Sequence, residues 1–162
     1  MKDIKKILVG IDFSSQSKQT FLYVSSLADK TGAELIALSV INQRDIDAAS
    51  VYSRLVGKTA ISVENFTKQE IERRKTGVDR VLKEIGLADI ERKTVIKVGH
   101  PYEEILKAIK ELDVDLVVMG TRGETTHDKY AILTGSVAER VFKHSPVPVL
   151  SFRGELKQFR IS

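Results

Sequence analysis

The residues with the clearest potential for chemistry are glycines and hydrogen-bond donors at two places in the chain. Gly120-Thr-Arg-Gly123 follows an apolar run, and after eleven intervening residues Gly135-Ser136 opens a segment with helical spacing. Glycines let backbone N–H groups approach an anion, and a helix N-terminus adds unpaired donors and the positive end of its dipole. Side-chain donors lie in the same two places: Thr121, Arg122, Thr134 and Ser136. The pattern suits a phosphate, although the same residues can serve only to turn the chain and start a helix.

A second candidate group follows the first apolar run of the chain. Gly10, Ile11 and Asp12 come directly after Ile7-Leu-Val9. A carboxylate at a strand end can cap a helix, accept a hydrogen bond from a ribose, or act as a base. Base catalysis needs a positioned partner, and none is identifiable, so no catalytic residue is predicted.

Several chemistries are excluded or lack their motifs. The chain has no cysteine, which removes disulfides, thiolate zinc sites and cysteine nucleophiles and fits a cytoplasmic location. The Gly-x-x-x-x-Gly-Lys-Ser/Thr phosphate loop and the Gly-x-Gly-x-x-Gly dinucleotide fingerprint are both missing. The histidines are far apart in sequence and form no local metal motif: His100, His127 and His144.

Length and composition predict one globular domain. The chain has 162 residues, of which 42% are hydrophobic and 30% charged, and its formal net charge is +4. No apolar run approaches the roughly 20 residues that span a bilayer, so no membrane association is expected. Nucleic-acid binding is not expected either, because the basic run Glu72-Arg-Arg-Lys75 lies in a helix rich in both signs, where a solvated face is usual.

The elements that would position these residues alternate between strands and helices. Gly32 and Gly86 are predicted to end helices, and Pro148 indicates that the last strand is an edge. Residues 42–61 form either an excursion or a short helix. Predicted strands are 4–12, 34–41, 93–98, 116–119 and 147–152; predicted helices are 14–31, 62–85, one from Pro101, and 136–143. The pattern predicts a single doubly wound parallel α/β domain over 1–152 with helices on both faces, and a tail at 153–162. In such sheets ligands bind beyond the carboxyl ends of the strands, where the strand order reverses.

At these residues the sequence resembles the universal stress protein family, whose nucleotide-binding branch has the pattern Gly-x-x-Gly, nine residues, Gly-Ser/Thr. Supporting segments span nearly the whole domain: Ile7-Leu-Val-Gly-Ile-Asp12, Gly99-His-Pro101, Asp115-Leu-Val-Val-Met-Gly120, Gly135-Ser-Val-Ala-Glu139 and Ser145-Pro-Val-Pro-Val-Leu150. The resemblance implies an adenine nucleotide alpha hydrolase-like sheet ordered 3-2-1-4-5, with ATP, and Mg or Mn with it, between the ends of strands 1 and 4.

The resemblance also implies roles for individual residues. Asp12 matches an aspartate near the ribose, Val40 at the end of strand 2 a backbone contact to adenine, and Met119 a position beside the base or sugar. The first phosphate loop corresponds to Gly120, Arg122 and Gly123, and the second to Gly135, Ser136 and Val137. The expected function is a regulatory or stress-response module that binds ATP, with slow or no hydrolysis.

Two further expectations concern the phosphate loop and the last strand. Residues 124–134 number eleven, two more than the family spacing, and include Glu124 and Asp128, which would repel phosphate unless turned away or bound to a metal. The alternative function is therefore a dimeric interaction module of the same fold that binds no nucleotide. Because family members commonly dimerise through the last strand, a homodimer is expected to form along 147–152, with Val147, Val149 and Leu150 in contact.

Overall fold

The computed structural model describes residues 3–55, 62–120 and 136–152, with Ser15 and Ser136 described by their backbone alone. The predicted tail, 153–162, lies outside the described residues. The strands are β1 (Lys6–Gly10), β2 (Glu34–Asn42), β3 (Arg92–Gly99), β4 (Leu116–Gly120) and β5 (Val149–Phe152). The helices are α1 (Ser15–Thr31), α2 (Gln43–Leu55), α3 (Val63–Glu84), α4 (Pro101–Glu111) and α5 (Ser136–His144).

The strands form one parallel sheet in the order β3-β2-β1-β4-β5. β1 is central, with Ile7 opposite Leu35 of β2 on one side and Leu116 of β4 on the other. The run Ile7-Leu-Val9 is fully buried, as expected for a strand covered on both faces. The doubly wound sheet and its order of 3-2-1-4-5 are confirmed.

Helices cover both faces of the sheet, so the core has two layers. On one face α1 and α3 pack on Ile7 and Val9, and on the other α4 and α5 pack on Leu8 and Ile36. The helix residues of the first layer are Phe21, Val24, Ala28, Val78 and Leu82. Those of the second layer are Ile105, Ala108, Ile109, Ala138 and Val141. In a doubly wound sheet of this kind a ligand binds beyond the carboxyl ends of the strands.

The predicted helix boundaries agree closely with those of the structure. Gly32 ends α1 in the left-handed conformation at φ 67°, and its N–H donates to the Ala28 carbonyl. Ser62 caps α3 because its hydroxyl accepts from the Asn65 N–H at 3.1 Å. Of the two alternatives for 42–61, the short helix is correct over α2, and 56–61 lie outside the described residues. None of the described helices is long and apolar enough to cross a membrane.

The last strand begins later than predicted. β5 starts at Val149, so Pro148 precedes the strand and was wrongly placed inside it. Proline lacks an N–H but keeps its carbonyl, which accepts from the Val117 N–H at 3.0 Å and leads the chain into the sheet. The prediction that this strand is an edge is confirmed by the sheet order.

Candidate functional site

The candidate site lies beyond the ends of β1 and β4, where the strand order reverses. From β1 the chain adds β2 and β3 on one side, and then returns to add β4 on the other side. Val9 is opposite Val118, so Gly10, the last residue of β1, lies beside Met119, the residue before the last in β4. A Cβ built on Gly10 would lie 3.7 Å from the Met119 Cγ, which is ordinary contact. These two predicted site residues are therefore brought together.

Asp12 belongs to the turn between β1 and α1, residues 11–14, which we name the Asp12 turn. Its Oδ1 accepts from the Ser14 N–H at 3.0 Å and from the Ser17 hydroxyl at 2.8 Å. Ile11 is buried, and its N–H donates to the Leu38 carbonyl of β2 at 2.8 Å. The carboxylate is thus held by its own turn and by Ser17 of α1, and no hydrogen bond to Oδ2 is formed by the residues described.

Ser14 adds a second polar group to the Asp12 turn. It is the N-cap residue of α1, but its hydroxyl makes no capping hydrogen bond. The Ser14 Oγ is buried and has no hydrogen-bond partner within the described part of the chain. An unpartnered buried hydroxyl is costly, so this group is a candidate for contact with a ligand. From the sequence, Ser14 is predicted only as a helix N-cap residue, and a contact with a ligand is not predicted.

Some of the remaining predicted site residues lie within the described part of the chain, and others lie outside it. Val40 is half-buried and lies two residues before the end of β2, which runs on to Asn42 rather than ending near Val40. Gly120 ends β4 and is half-buried, and Val137 in the first turn of α5 packs on the second core layer. Ser136 begins α5. Outside the described residues lie Thr121, Arg122, Gly123, Glu124, His127, Asp128, Thr134 and Gly135.

The histidines that the structure describes lie at helix ends. His100 is the N-cap residue of α4, and His144 is the last residue of α5, where its ring Nδ1 lies 2.9 Å from the Arg140 carbonyl. Both histidines are therefore explained by their positions at helix ends.

The Asp12 turn also contacts α3 through the ring of Phe13, and this contact was not predicted from the sequence. Phe13 has a φ of 63°, in the left-handed region that bulky residues rarely adopt. Its ring lies against α3 at Gly77, where a built Cβ would stand 2.8 Å from the Phe13 Cε1. Gly77, which weakens a helix by about 1 kcal/mol relative to alanine, is therefore explained by the space that the ring needs. A glycine in the middle of a strong helix was the signal available in the sequence.

Arg74 of α3 also contacts the Phe13 ring. Its position differs from the solvated face that was predicted for the basic run 72–75. Its guanidinium carbon lies 5.4 Å from the centroid of the Phe13 ring. Nη1 donates to the hydroxyl of Ser39 at 3.0 Å, and Nε to Glu70 at 3.1 Å. The side chain is only 17% exposed, so the solvated-face prediction for 72–75 is wrong at this position. It was wrong because helix periodicity turns residue 74 inward, toward β2 and the Asp12 turn.

The charge of Arg74 is balanced by a carboxylate one turn earlier in α3. Glu70 accepts from Arg73 at 2.7 and 2.8 Å and from Arg74 at 3.1 Å. The hydrogen bonds from Arg73 and Arg74 hold the pKa of Glu70 below its ordinary value. Glu70 therefore stays ionised at neutral pH and fixes the position of the Arg74 guanidinium.

Comparisons with known proteins agree with this fold. Residues 3–153 match the model of the universal stress protein family. The universal stress protein MJ0577 of Methanocaldococcus jannaschii is 35% identical over 152 residues, covering 90% of this chain and 93% of that protein. The solved structure of MJ0577 is similar with a TM-score of 0.75 at 30% identity, covering 95% of this chain and 99% of the other.

Two further structures share the fold at lower identity. One is a universal stress protein in complex with cAMP, with a TM-score of 0.59 at 21% identity, covering 94% of this chain and 98% of the other. The other is the universal stress protein from Archaeoglobus fulgidus in complex with dAMP, with a TM-score of 0.61 at 17% identity, covering 93% and 98%. The family match over nearly all of the sequence and the relative at 35% identity lead to one conclusion: this chain belongs to the universal stress protein family.

Proposed function

We propose that the chain is a regulatory module that binds ATP, with Mg²⁺ or Mn²⁺, beyond the ends of β1 and β4. The observation that carries the proposal is the Asp12 carboxylate at the point where the strand order reverses. Its Oδ1 is fixed by Ser14 and Ser17, while Oδ2 accepts no hydrogen bond from the described residues. A fixed anionic acceptor of this kind suits a ribose hydroxyl.

The proposed site has a nucleoside part and a phosphate part. The nucleoside part comprises Gly10, Ile11, Asp12, Val40 and Met119, which the described residues hold near the ends of β1, β2 and β4. The phosphate part comprises Gly120, Arg122, Gly123, Gly135, Ser136 and Val137, assigned from the sequence pattern. The relatives crystallised with cAMP and with dAMP support adenine as the base.

The divalent ion would be held mainly through the nucleotide. Within residues 3–55, 62–120 and 136–152, no three His, Asp or Glu side chains cluster closely enough to hold a metal ion. Mg²⁺ is commonly bound through one or two carboxylates together with phosphate oxygens. When bound, the ion would neutralise phosphate charge. We propose slow or no hydrolysis, because Asp12 is already engaged as an acceptor within its turn and no base is assigned.

Thermal unfolding with and without Mg-ATP tests this proposal. At 100 times its dissociation constant, a ligand stabilises the folded state by about 2.7 kcal/mol, which raises Tm by roughly 5 to 10 °C for a chain of this size. Asp12→Asn keeps an acceptor for the Ser14 N–H but loses the charge, so we expect it to fold normally and bind ATP about tenfold more weakly. An unchanged midpoint in the wild-type protein, with no nucleotide retained after purification, would contradict ATP binding and favour the interaction module.

We further propose that the protein forms a homodimer through the free edge of β5. Val147, Val149 and Leu150 are half-buried against the core layers of their own chain. Two exposed aromatic residues lie on helices from opposite faces of the sheet: the ring of Tyr23 of α1, 44% exposed, lies 5.5 Å from that of Phe152 in a tilted arrangement, and Phe142 of α5 is 66% exposed. Apolar side chains on both faces of a free edge favour pairing with a second copy. A cytoplasmic location stays a prediction.

A single substitution tests the edge. The Val117 N–H donates to Pro148 and Val117 is opposite Val149, so the parallel pattern turns the N–H groups of Val149 and Ser151 to the free side. Ser151→Pro removes one outward donor without removing a bond to β4, and we expect it to yield monomers while Ser151→Ala stays dimeric. Solution scattering measures the mass, and a monomeric wild-type protein would contradict the dimer.

A further inference from the structure

The nucleoside part of the proposed site is bounded by two segments that do not adjoin in sequence. One is the Asp12 turn, and the other is the C-terminal part of β2, residues 39–42, which holds Ser39 and Val40. Backbone pairing already joins them at one point, where the Ile11 N–H meets the Leu38 carbonyl. Any ligand that contacts both Asp12 and Val40 depends on how firmly these segments are held relative to each other.

One side chain contacts both segments. Arg74 lies over the ring of Phe13, the residue next to Asp12, and it donates to the hydroxyl of Ser39, the residue next to Val40. Ser39 is fully buried, so this hydrogen bond is shielded from water. Glu70 fixes the guanidinium from the other side. The arginine therefore joins the turn to the strand end through one planar group whose position is itself held.

The backbone of Phe13 shows why the turn needs such support. A φ of 63° is a conformation that a bulky residue holds only when its surroundings impose it. The surroundings here are the cleft at Gly77 and the Arg74 guanidinium. Without them the turn would relax toward the more common conformations, and the Asp12 carboxylate would move with it.

We infer that Arg74 is a positioning residue, which holds Asp12 and Val40 at the separation that a nucleoside requires. The inference rests on the proposed function and deepens it, because it assigns specificity for the nucleoside to a residue of α3 that does not itself touch the ligand. It follows that loss of Arg74 weakens binding of the nucleoside rather than of the phosphates. Adenosine, AMP and ATP should then lose affinity by the same factor.

The test compares Arg74→Met with Lys75→Met. Both remove one positive charge from α3, but Lys75 is 51% exposed and pairs with Glu72, away from the Asp12 turn. Calorimetric titration with Mg-ATP, AMP and adenosine, well below the unfolding temperature, should show Kd raised by about tenfold for all three ligands in Arg74→Met, because each ligand must then order the Asp12 turn as it binds. Lys75→Met should bind as the wild-type protein does. A lowered Tm with unchanged Kd values would show a structural role only and overturn the inference.

A second measurement separates this inference from the proposed function. Amide hydrogen exchange of Ser14, whose N–H donates to Asp12, reports the Asp12 turn without nucleotide. We expect exchange about tenfold faster in Arg74→Met than in Lys75→Met, since exchange follows local opening. Equal rates would overturn the inference whether or not nucleotide binds. A wild-type protein that binds no nucleotide would overturn the proposed function, and the exchange rates would still decide whether Arg74 holds the turn.

Phe13→Leu, which removes the ring but keeps apolar bulk, replaces Arg74→Met if that variant does not fold.

Discussion

Two turns, each at the carboxyl end of a parallel strand and each leading into a helix, have a positive φ on different kinds of residue. In the turn from β3 to α4, residues 99–100, which we name the Gly99 turn, Gly99 has a φ of 153° and lies under Glu104. In the Asp12 turn, Phe13 has a φ of 63° and lies against Gly77 of α3. The first turn uses glycine for the unusual conformation itself, whereas the second uses a bulky residue and has its glycine in the partner helix.

The difference separates a turn completed within its own helix from the turn at the proposed site. The Gly99 turn is completed within its own helix, because Glu104 comes from α4 and pairs there with Lys107 at 2.6 Å. It ends β3, at the outer edge of the sheet. The Asp12 turn ends the central strand, beside the proposed nucleoside site, and depends on α3. Strained residues persist where the rest of the structure imposes them, which is common at functional sites.

The largest effect on stability should come from Gly99→Ala. Its Cβ would lie 2.7 Å from the Cγ and 2.8 Å from the Oε1 of Glu104, and the backbone conformation is itself unfavourable for alanine. We expect a loss of roughly 2 to 4 kcal/mol in the free energy of unfolding, measured by urea denaturation. ATP affinity should stay unchanged, because no residue of this turn is assigned to the proposed site.

Gly32→Ala is the matched control for the Gly99 turn. Gly32 also has a positive φ, 67°, but apart from its chain neighbours no heavy atom of the described residues lies within 4 Å of its built Cβ. Its substitution should cost only about 1 kcal/mol, the conformational part. If Gly99→Ala cost no more than Gly32→Ala, contact with Glu104 would not explain the Gly99 turn.

The next largest effect is the coupling between Phe13 and Gly77. In the wild-type background, Gly77→Ala gains about 1 kcal/mol of helix propensity but forces the ring aside, and we expect a net loss of about 1 kcal/mol. In the Phe13→Ala background the clash is gone, so the same substitution should stabilise by about 1 kcal/mol. A double-mutant cycle by urea denaturation should thus give a coupling of about 2 kcal/mol. Additive effects would contradict the explanation of Gly77 as space for the ring.

The helices and strands could be predicted largely from the sequence. Gly32, Ser62 and Pro101 mark helix ends through local chemistry, and the buried run of β1 identifies the central strand, so the elements were predictable. The start of β5 was not, because proline keeps its carbonyl and can lead into a strand without joining it.

The site was predictable where its residues follow strand ends. Gly10 and Asp12 could be placed at the reversal point because parallel strands end on the same side of the sheet, whereas Met119 was implied only by the family resemblance. Arg74 could not, because its role depends on which face of α3 meets the Asp12 turn across about 60 residues of sequence. Local patterns report such a contact only indirectly, here through the helical glycine at position 77.

The smallest predicted effect is a pH dependence of the unfolding free energy that arises from Glu70 of α3. The hydrogen bonds from Arg73 and Arg74 lower the pKa of Glu70 from an ordinary value of 4.5. A carboxyl whose pKa is lower in the folded state contributes stability above its unfolded pKa, and this contribution is lost as the pH falls through the folded value. Wild-type protein should therefore exceed Glu70→Gln in unfolding free energy by about 0.5 to 1 kcal/mol at pH 7, and the difference should shrink below pH 4.5.

Glu139→Gln is the control for this pH dependence. Hydrogen bonding to Lys143 also lowers the pKa of Glu139, but the Glu139 side chain is 44% exposed, against 14% for Glu70. Water screens the exposed pair, so urea denaturation between pH 3 and 7 should show a smaller pH-dependent difference for Glu139→Gln. Glu70→Gln should also speed Ser14 amide exchange at pH 7, because Glu70 fixes Arg74 and Arg74 holds the Asp12 turn. If Ser14 in Glu70→Gln exchanged at the wild-type rate, the Glu70–Arg74 ion pair would not stabilise the Asp12 turn. The conformation of Phe13 would then be held by its contact with Gly77 alone.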